Sequence, residues 1–122
     1  MVGYVTLGTN DFARATAFYD ALLAEVGGKR AMELEGSFVL WASGPSGMLA
    51  VTKPFDQRPA TVGNGVMVAL AAGSKEQVDQ IYAKAIALGG TDEGKPGPRG
   101  DNFYGAYFRD LDGNKLNAYF VG

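Results

Sequence analysis

The sequence predicts an α+β fold made of two tandem βαβββ modules, and three observations carry that prediction. The first is an internal repeat. One constant shift lays Tyr4 on Met67, Asp11 on Ser74, Ala15 on Val78, Phe18 on Ile81 and Tyr19 on Tyr82, so that strand, helix and three strands occur twice. The second is a pair of amphipathic helix patterns, each stopped by two glycines, Gly27-Gly28 and Gly89-Gly90. The third is a hairpin pattern from Tyr104 to Phe120, in which Asp112-Gly113-Asn114 joins two β-rich runs; Gly and Asn tolerate the positive φ such a turn demands. The expected organisation is a single domain with module one at about 1–53, a linker at 54–64 and module two at about 65–122.

Val2 to Leu7 alternates as a strand, with Val5 and Leu7 on one face and Tyr4 and Thr6 on the other. Asn10 or Asp11 caps the helix that follows, whose stripe is Ala15, Phe18, Tyr19, Leu22 and Val26. Three strands are expected next, Arg30 to Leu34, Ser37 to Ala42 and Met48 to Lys53, the last two separated by the turn Ser43-Gly44-Pro45-Ser46-Gly47. Pro54 to Asn64 has two prolines and no period, which marks the linker.

In the second half, Gly65 to Ala71 alternates Val66, Val68 and Leu70 against Met67, Ala69 and Ala71. Ser74-Lys75-Glu76-Gln77 is a capping box, in which serine and glutamine satisfy each other's backbone donors. The helix stripe is Val78, Ile81, Tyr82, Ala85 and Leu88. A short strand at Thr91 to Gly94, a Gly/Pro-rich loop from Lys95 to Asp101 and the hairpin complete the chain. In the final strand Lys115, Asn117 and Tyr119 alternate with Leu116, Ala118 and Phe120, so one face packs on a core and the other looks into something wetter.

Composition narrows the chemistry. At 122 residues, 47% hydrophobic and 20% charged, with a formal net charge of −2, the chain is an ordinary globular protein without an electrostatic footprint for nucleic acid or an anionic membrane. No apolar run approaches the roughly 20 residues that span a bilayer, and Met1 to Gly8 reads as a strand, not a signal peptide. Cysteine is absent, which removes disulfides, thiolate catalysis and zinc-thiolate sites and agrees with a cytoplasmic location. Histidine is absent too, which removes His-based triads, imidazole bases and His-containing metal sites.

Tyr4-Val5-Thr6-Leu7-Gly8-Thr9-Asn10-Asp11 leading to Ala17-Phe18-Tyr19, and Phe108-Arg109-Asp110-Leu111-Asp112-Gly113-Asn114-Lys115-Leu116, resemble the vicinal oxygen chelate superfamily. This is the group of glyoxalase I, bleomycin-resistance proteins and extradiol dioxygenases, and the resemblance covers the whole chain. It implies a glyoxalase-like curled mixed sheet around a cleft between the modules, often in a homodimer. In metal-using members one ligand comes from the first and one from the last strand of each module. By that resemblance the positions fall on Tyr4, Met67, Asn117 and either Ala50 or Val51, the turn lengths leaving both open. Divalent ions of these sites want carboxylate or imidazole, so a degenerate site is expected, with no metal and no other cofactor.

If the alternation holds, Tyr4, Thr6, Met67, Lys115, Asn117 and Tyr119 share the cleft face as an aromatic wall with a few oriented polar groups. The plain alternative is that they fill space and bind nothing; Tyr and Asn inside a core each need a partner, which favours the pocket. Trp41 and Tyr107 read as matching positions, stacking on a planar ligand or, more usually for strand aromatics, packing in the core. Met48 and Met67 read as gap-fillers. Arg99 and Lys95, among glycines, could clasp a carboxylate or phosphate, though without Walker spacing; a lid or a dimer contact fits the same loop. Glu33, Glu35, Asp92 and Glu93 read as solvated acids, and Asp110 and Asp112 as turn formers rather than calcium ligands.

Three functions follow as expectations. The first is a metal-free protein that binds a small aromatic or partly apolar molecule through Tyr4, Thr6, Met67, Arg99, Tyr107, Lys115, Asn117 and Tyr119, with no catalytic residue. The second is a lactoylglutathione-lyase-like isomerase or lyase, or a dioxygenase-related enzyme, with a non-standard site. Its base would be Tyr4, Lys115 or an acid outside the motif, and Tyr or Lys would need a large downward shift from a pKa near 10. The third is a dimeric scaffold with a vestigial cleft.

Overall fold

The repeat in the sequence is also the repeat of the fold. The computed structural model describes residues 1–45 and 47–122, and the chain divides into two units, Met1–Val62 and Gly63–Gly122. The first holds β1 (Tyr4–Gly8), α1 (Phe12–Ala24), β2 (Lys29–Leu34), β3 (Phe38–Ala42) and β4 (Met48–Thr52). The second holds β5 (Val68–Ala71), α2 (Lys75–Ala87), β6 (Thr91–Pro98), β7 (Phe103–Arg109) and β8 (Lys115–Val121). Each unit is one four-stranded mixed sheet, ordered β1-β4-β3-β2 in the first and β5-β8-β7-β6 in the second. In both, the first strand pairs parallel with the last and the remaining pairs are antiparallel. The architecture is therefore α+β with two tandem modules.

The helices show why the repeat survives in the residues. Asp11 and Ser74 are the two N-caps, their side chains accepting from the backbone N–H of Arg14 and Gln77 at 3.1 Å each. Asn10, the other candidate cap, instead brackets the backbone of Ala60, accepting from its N–H at 2.7 Å and donating to its carbonyl at 3.0 Å. Gln77 reaches back to the N–H of Gly73, one residue before the serine that the capping box anticipates. Each helix exits through glycine: Gly27 and Gly89 take φ of 76° and 100°, and the next residues, Gly28 and Gly90, donate to the carbonyls of Leu23 and Ala85. Val26, expected in the first stripe, lies beyond the last helical residue, just before this exit, and is half-buried.

One face of each sheet carries the core under its helix. In the first unit Ala15, Phe18, Tyr19, Leu22 and Leu23 of α1 are buried, as are Leu7, Val39, Trp41, Leu49 and Val51 of the sheet. In the second unit Val78, Ile81 and Ala85 of α2 are buried, as are Ala106, Phe108, Leu116 and Ala118. Fully burying one such aliphatic or aromatic side chain contributes about 1.5–3 kcal/mol.

A polar cluster ties α1 to the sheet edge. Arg30 of β2 grips Asp20 of α1 through Nε to Oδ1 at 2.8 Å and Nη2 to Oδ2 at 2.7 Å, and Trp41 Nε1 donates to the same Oδ1 at 2.9 Å. The Arg30 hydrogen bond, helped by that of Trp41, holds the Asp20 carboxyl below its ordinary value against the opposing effect of burial. A depressed carboxyl adds stability above its unfolded pKa of about 3.9 and loses it as pH falls through the folded value. The pair is partly exposed, so its contribution is at most about 1 kcal/mol. Chemical denaturation of Asp20→Asn should therefore show a deficit at pH 6 that shrinks below about pH 3.

Strand limits depart from the sequence reading mainly at the edges. β6 runs on through Lys95–Pro98, which the Gly/Pro content assigns to a loop. It pairs with β7 through irregularities between Asp92 and Gly94 and between Gly94 and Gly97, and an edge strand accommodates Pro96 and Pro98 because their missing N–H groups face no neighbour. β5 begins at Val68 rather than Gly65, since Gly65 sits in a turn with φ 98°. Of the expected turn at 43–47, Ser46 lies outside the described residues. Among the described residues no helix is long and apolar enough to cross a membrane.

Candidate functional site

The helix-free face of the second sheet is where the aromatic and cationic side chains gather. Side chains alternate along a strand, so Phe108 and Leu116, fully buried, define the helix side of β7 and β8, and Phe103, Tyr107, Lys115, Asn117 and Tyr119 lie opposite. Tyr107 stands directly across from Asn117 and Gly105 across from Tyr119. The Phe103 ring lies flat on Tyr119, with centroids 5.4 Å apart and planes 3° from parallel. Gly105 makes this possible: a Cβ there would stand 2.9 Å from Phe103 Cε1 and 3.2 Å from Asn117 Nδ2.

Beneath the aromatic layer Asn117 is 1% exposed. Its Nδ2 donates to the carbonyls of Ala106 at 2.9 Å and Ala118 at 3.1 Å, which spends both amide hydrogens on the backbone and fixes the side-chain orientation. Beside it, the Arg99 guanidinium lies 5.6 Å from the Tyr107 ring centre, and Lys115 Nζ also lies 5.6 Å from it. Arg99 is held by its own strand, with Nη1 donating to the Pro98 carbonyl at 3.2 Å and Nη2 to that of Lys95 at 2.7 Å. The bulged glycines of β6 leave the space for it: a Cβ on Gly94 would stand 3.1 Å from Tyr107 and 3.4 Å from Arg99, and one on Gly97 3.1 Å from Arg99.

The structure thus brings together Arg99, Tyr107, Lys115, Asn117 and Tyr119 in one unit. Met67 precedes β5 and is exposed, not the gap-filler its type suggests. Tyr4 and Thr6 are exposed on the helix-free face of the first sheet, opposite the helix-side residue Leu7. Thr6 pairs with Ala50 as Ala69 pairs with Asn117, so Ala50, not Val51, is the first-unit counterpart of Asn117. By the same registers Trp41 matches Phe108, both buried on the helix side, and Tyr107 matches Leu40. The pairing of Trp41 with Tyr107 is therefore corrected, and with a two-residue side-chain period this one-residue slip changes the face. Phe103 was missed because it sits in what reads as a loop; its parity with Gly105 and Tyr107 was the available signal.

The acids have local partners. Asp110 is 5% exposed; its Oδ1 accepts from the N–H groups of Asp112 and Asn114, and its Oδ2 from Asn114 Nδ2, all at 2.9 Å. It is a turn former, as its position suggests. Glu93 pairs with Arg109 at 2.9 Å, Glu33 with Arg30 at 2.7 Å, and Asp92 accepts from Tyr82 Oη at 2.9 Å. Burial, with the Asp92 hydrogen bond, raises the Tyr82 hydroxyl above its ordinary value. Among the described residues no group of three or more His, Cys, Asp or Glu is gathered to hold a metal ion. An open depression of about 450 Å³ in the first unit is lined by Phe12, Arg30, Glu33, Leu34, Glu35, Gly36 and Val39, none of them a candidate residue, and its arginine is bound by Asp20 and Glu33.

A family model described as the Glyoxalase/Bleomycin resistance protein/Dioxygenase superfamily matches residues 1–118. The chain belongs to this superfamily. Among solved structures it is similar to a glyoxalase/bleomycin resistance protein from Albidiferax ferrireducens T118, with 41% identity over 100% of this chain and 99% of the other and a TM-score of 0.92. It is also similar to the hypothetical protein SA1046 from S. aureus, at 26% identity over 99% and 96% of the two chains and a TM-score of 0.74. Lactoylglutathione lyase from Agrobacterium tumefaciens shares the fold, with 23% identity over 98% and 92% and a TM-score of 0.75. No curated protein matches.

Proposed function

We propose that this superfamily member is a metal-independent protein that binds a small aromatic or partly apolar molecule, with the helix-free face of its second sheet as the principal contact surface. The observation that carries the reading is the Phe103–Tyr119 stack beside Tyr107, held over a buried Asn117 whose amide is fixed by two carbonyls. A rigid aromatic layer with one oriented polar side chain is what small-molecule sites are built from. Aromatic side chains there present large contact area, and an aromatic partner adds about 0.5–1.5 kcal/mol beyond area burial.

The positions that the superfamily uses for metal carry Tyr4, Ala50, Met67 and Asn117. Ala50 has no side-chain donor atom, Met67 offers only a thioether, and Tyr4 and Asn117 offer only neutral oxygens, so no carboxylate or imidazole is present. This set does not fit a divalent ion, and no metal step belongs to the reading.

A thermal-shift screen of planar aromatic compounds, run with excess chelator, tests the reading. A ligand at 100 times its Kd stabilises the native state by about 2.7 kcal/mol. At least one compound should raise the midpoint of the native protein, and Tyr119→Ala should abolish that rise. Stabilisation that disappears with chelator, or that survives in Tyr119→Ala, would overturn the proposal.

A further inference from the structure

Two cations share one ring on that face, and no carboxylate answers either. Arg99 and Lys115 both lie 5.6 Å from the centre of Tyr107. Among the described residues neither makes an ion pair, whereas Arg30 of β2 pairs with Asp20 and Glu33 and Arg109 of β7 pairs with Glu93. Glu93, the acid adjoining Gly94 opposite Tyr107, is taken by Arg109 through both Nε at 3.0 Å and Nη2 at 2.9 Å. A tyrosine face attracts one cation weakly; two cations beside one ring repel each other, and an anion between them relieves that repulsion. The surroundings hold the arrangement in place, since Arg99 is pinned to the Pro98 and Lys95 carbonyls and occupies space that side chains on Gly94 and Gly97 would contest.

We infer that the ligand of this face is an aromatic carboxylate, whose anionic group lies between Arg99 and Lys115 while its ring packs on Tyr107 and the Phe103–Tyr119 stack. This rests on the proposed binding function and adds the chemical class of the ligand. The carboxylate accepts from Lys115 Nζ and from guanidinium N–H groups of Arg99 that the two backbone carbonyls do not take, as charge-assisted bonds. The aromatic part fills the adjacent apolar layer. Both cations are at least partly accessible to solvent, so the interaction weakens with salt.

Isothermal titration with a matched pair, 2-naphthoate and the neutral 2-naphthamide, separates recognition of the carboxylate from binding of the aromatic ring. The native protein should bind the naphthoate about tenfold more tightly than the amide at low salt, with the ratio falling as salt rises. Arg99→Gln/Lys115→Gln should bring the two affinities together by weakening the acid alone, with its thermal midpoint close to that of the native protein. Equal affinities in the native protein, or a preference for the acid that persists in the double variant, would overturn this inference and leave aromatic binding intact. Binding of neither probe would overturn the binding function itself, and this inference with it.

Discussion

Phe108→Ala should cost about 3–5 kcal/mol of stability, while Tyr107→Ala, one residue away, should cost under about 1 kcal/mol and act on ligand binding instead. Phe108 is fully buried on the helix side of β7, so truncation leaves a cavity against α2, Leu116 and their neighbours. Tyr107 is half-buried on the opposite face, within 5.6 Å of both Arg99 and Lys115, where truncation mostly removes surface that water can reoccupy. Urea unfolding monitored by circular dichroism, read as the change in midpoint at constant slope, gives both values. Similar costs for the two variants would mean that the face assignment is wrong.

Asp110→Ala should cost about 2–4 kcal/mol, because hydrogen bonds to a charged group contribute about 1.5–3 kcal/mol and this carboxylate accepts three at a nearly buried turn. It organises the five residues between β7 and β8: Gly113 takes φ 91°, and the Asp110 N–H donates to the Asn114 carbonyl at 2.9 Å. The turn also carries the Arg109 Nη1 bond to the Gly113 carbonyl at 3.0 Å, so its loss should loosen the adjoining ends of both strands. Hydrogen exchange should show lost protection at the backbone amides of Asp112 and Asn114 first. Unchanged exchange there would rule out this role for Asp110.

What the residues revealed in advance follows from where local rules dominate. The helices and their caps were legible because apolar spacing, an Asx or Ser cap and an exit glycine are all set within a few positions, so Asp11/Ser74 and Phe18/Ile81 keep a common offset. The offset fails by the last strand of each unit, where Ala50 answers to Asn117. The reason is a longer second hairpin: β6 has eight residues against six in β2, and β7 has seven against five in β3. Pairing in the sheet, not spacing in the chain, decides which residues correspond, and that is why Trp41 answers to Phe108 and not to Tyr107.

The candidate face was half legible for a similar reason. Alternation in β8 places Lys115, Asn117 and Tyr119 together, because one strand's pleat is a local property. The contribution of Arg99 and Phe103 depends on two glycine bulges and on the space over Gly105, which are tertiary features. Glycine and proline around Arg99 look like a loop until an edge strand absorbs them.

An aromatic ligand is expected to bind the helix-free face of the second sheet without a metal ion. The most direct test is a two-dimensional NMR titration of chelator-treated protein with 2-naphthoate. Shifts should concentrate at residues 103–107 and 115–119 and at Arg99, with the amides of α2 little changed. Shifts confined to other parts of the chain, or appearing only after a divalent metal is added back, would contradict metal-free binding there.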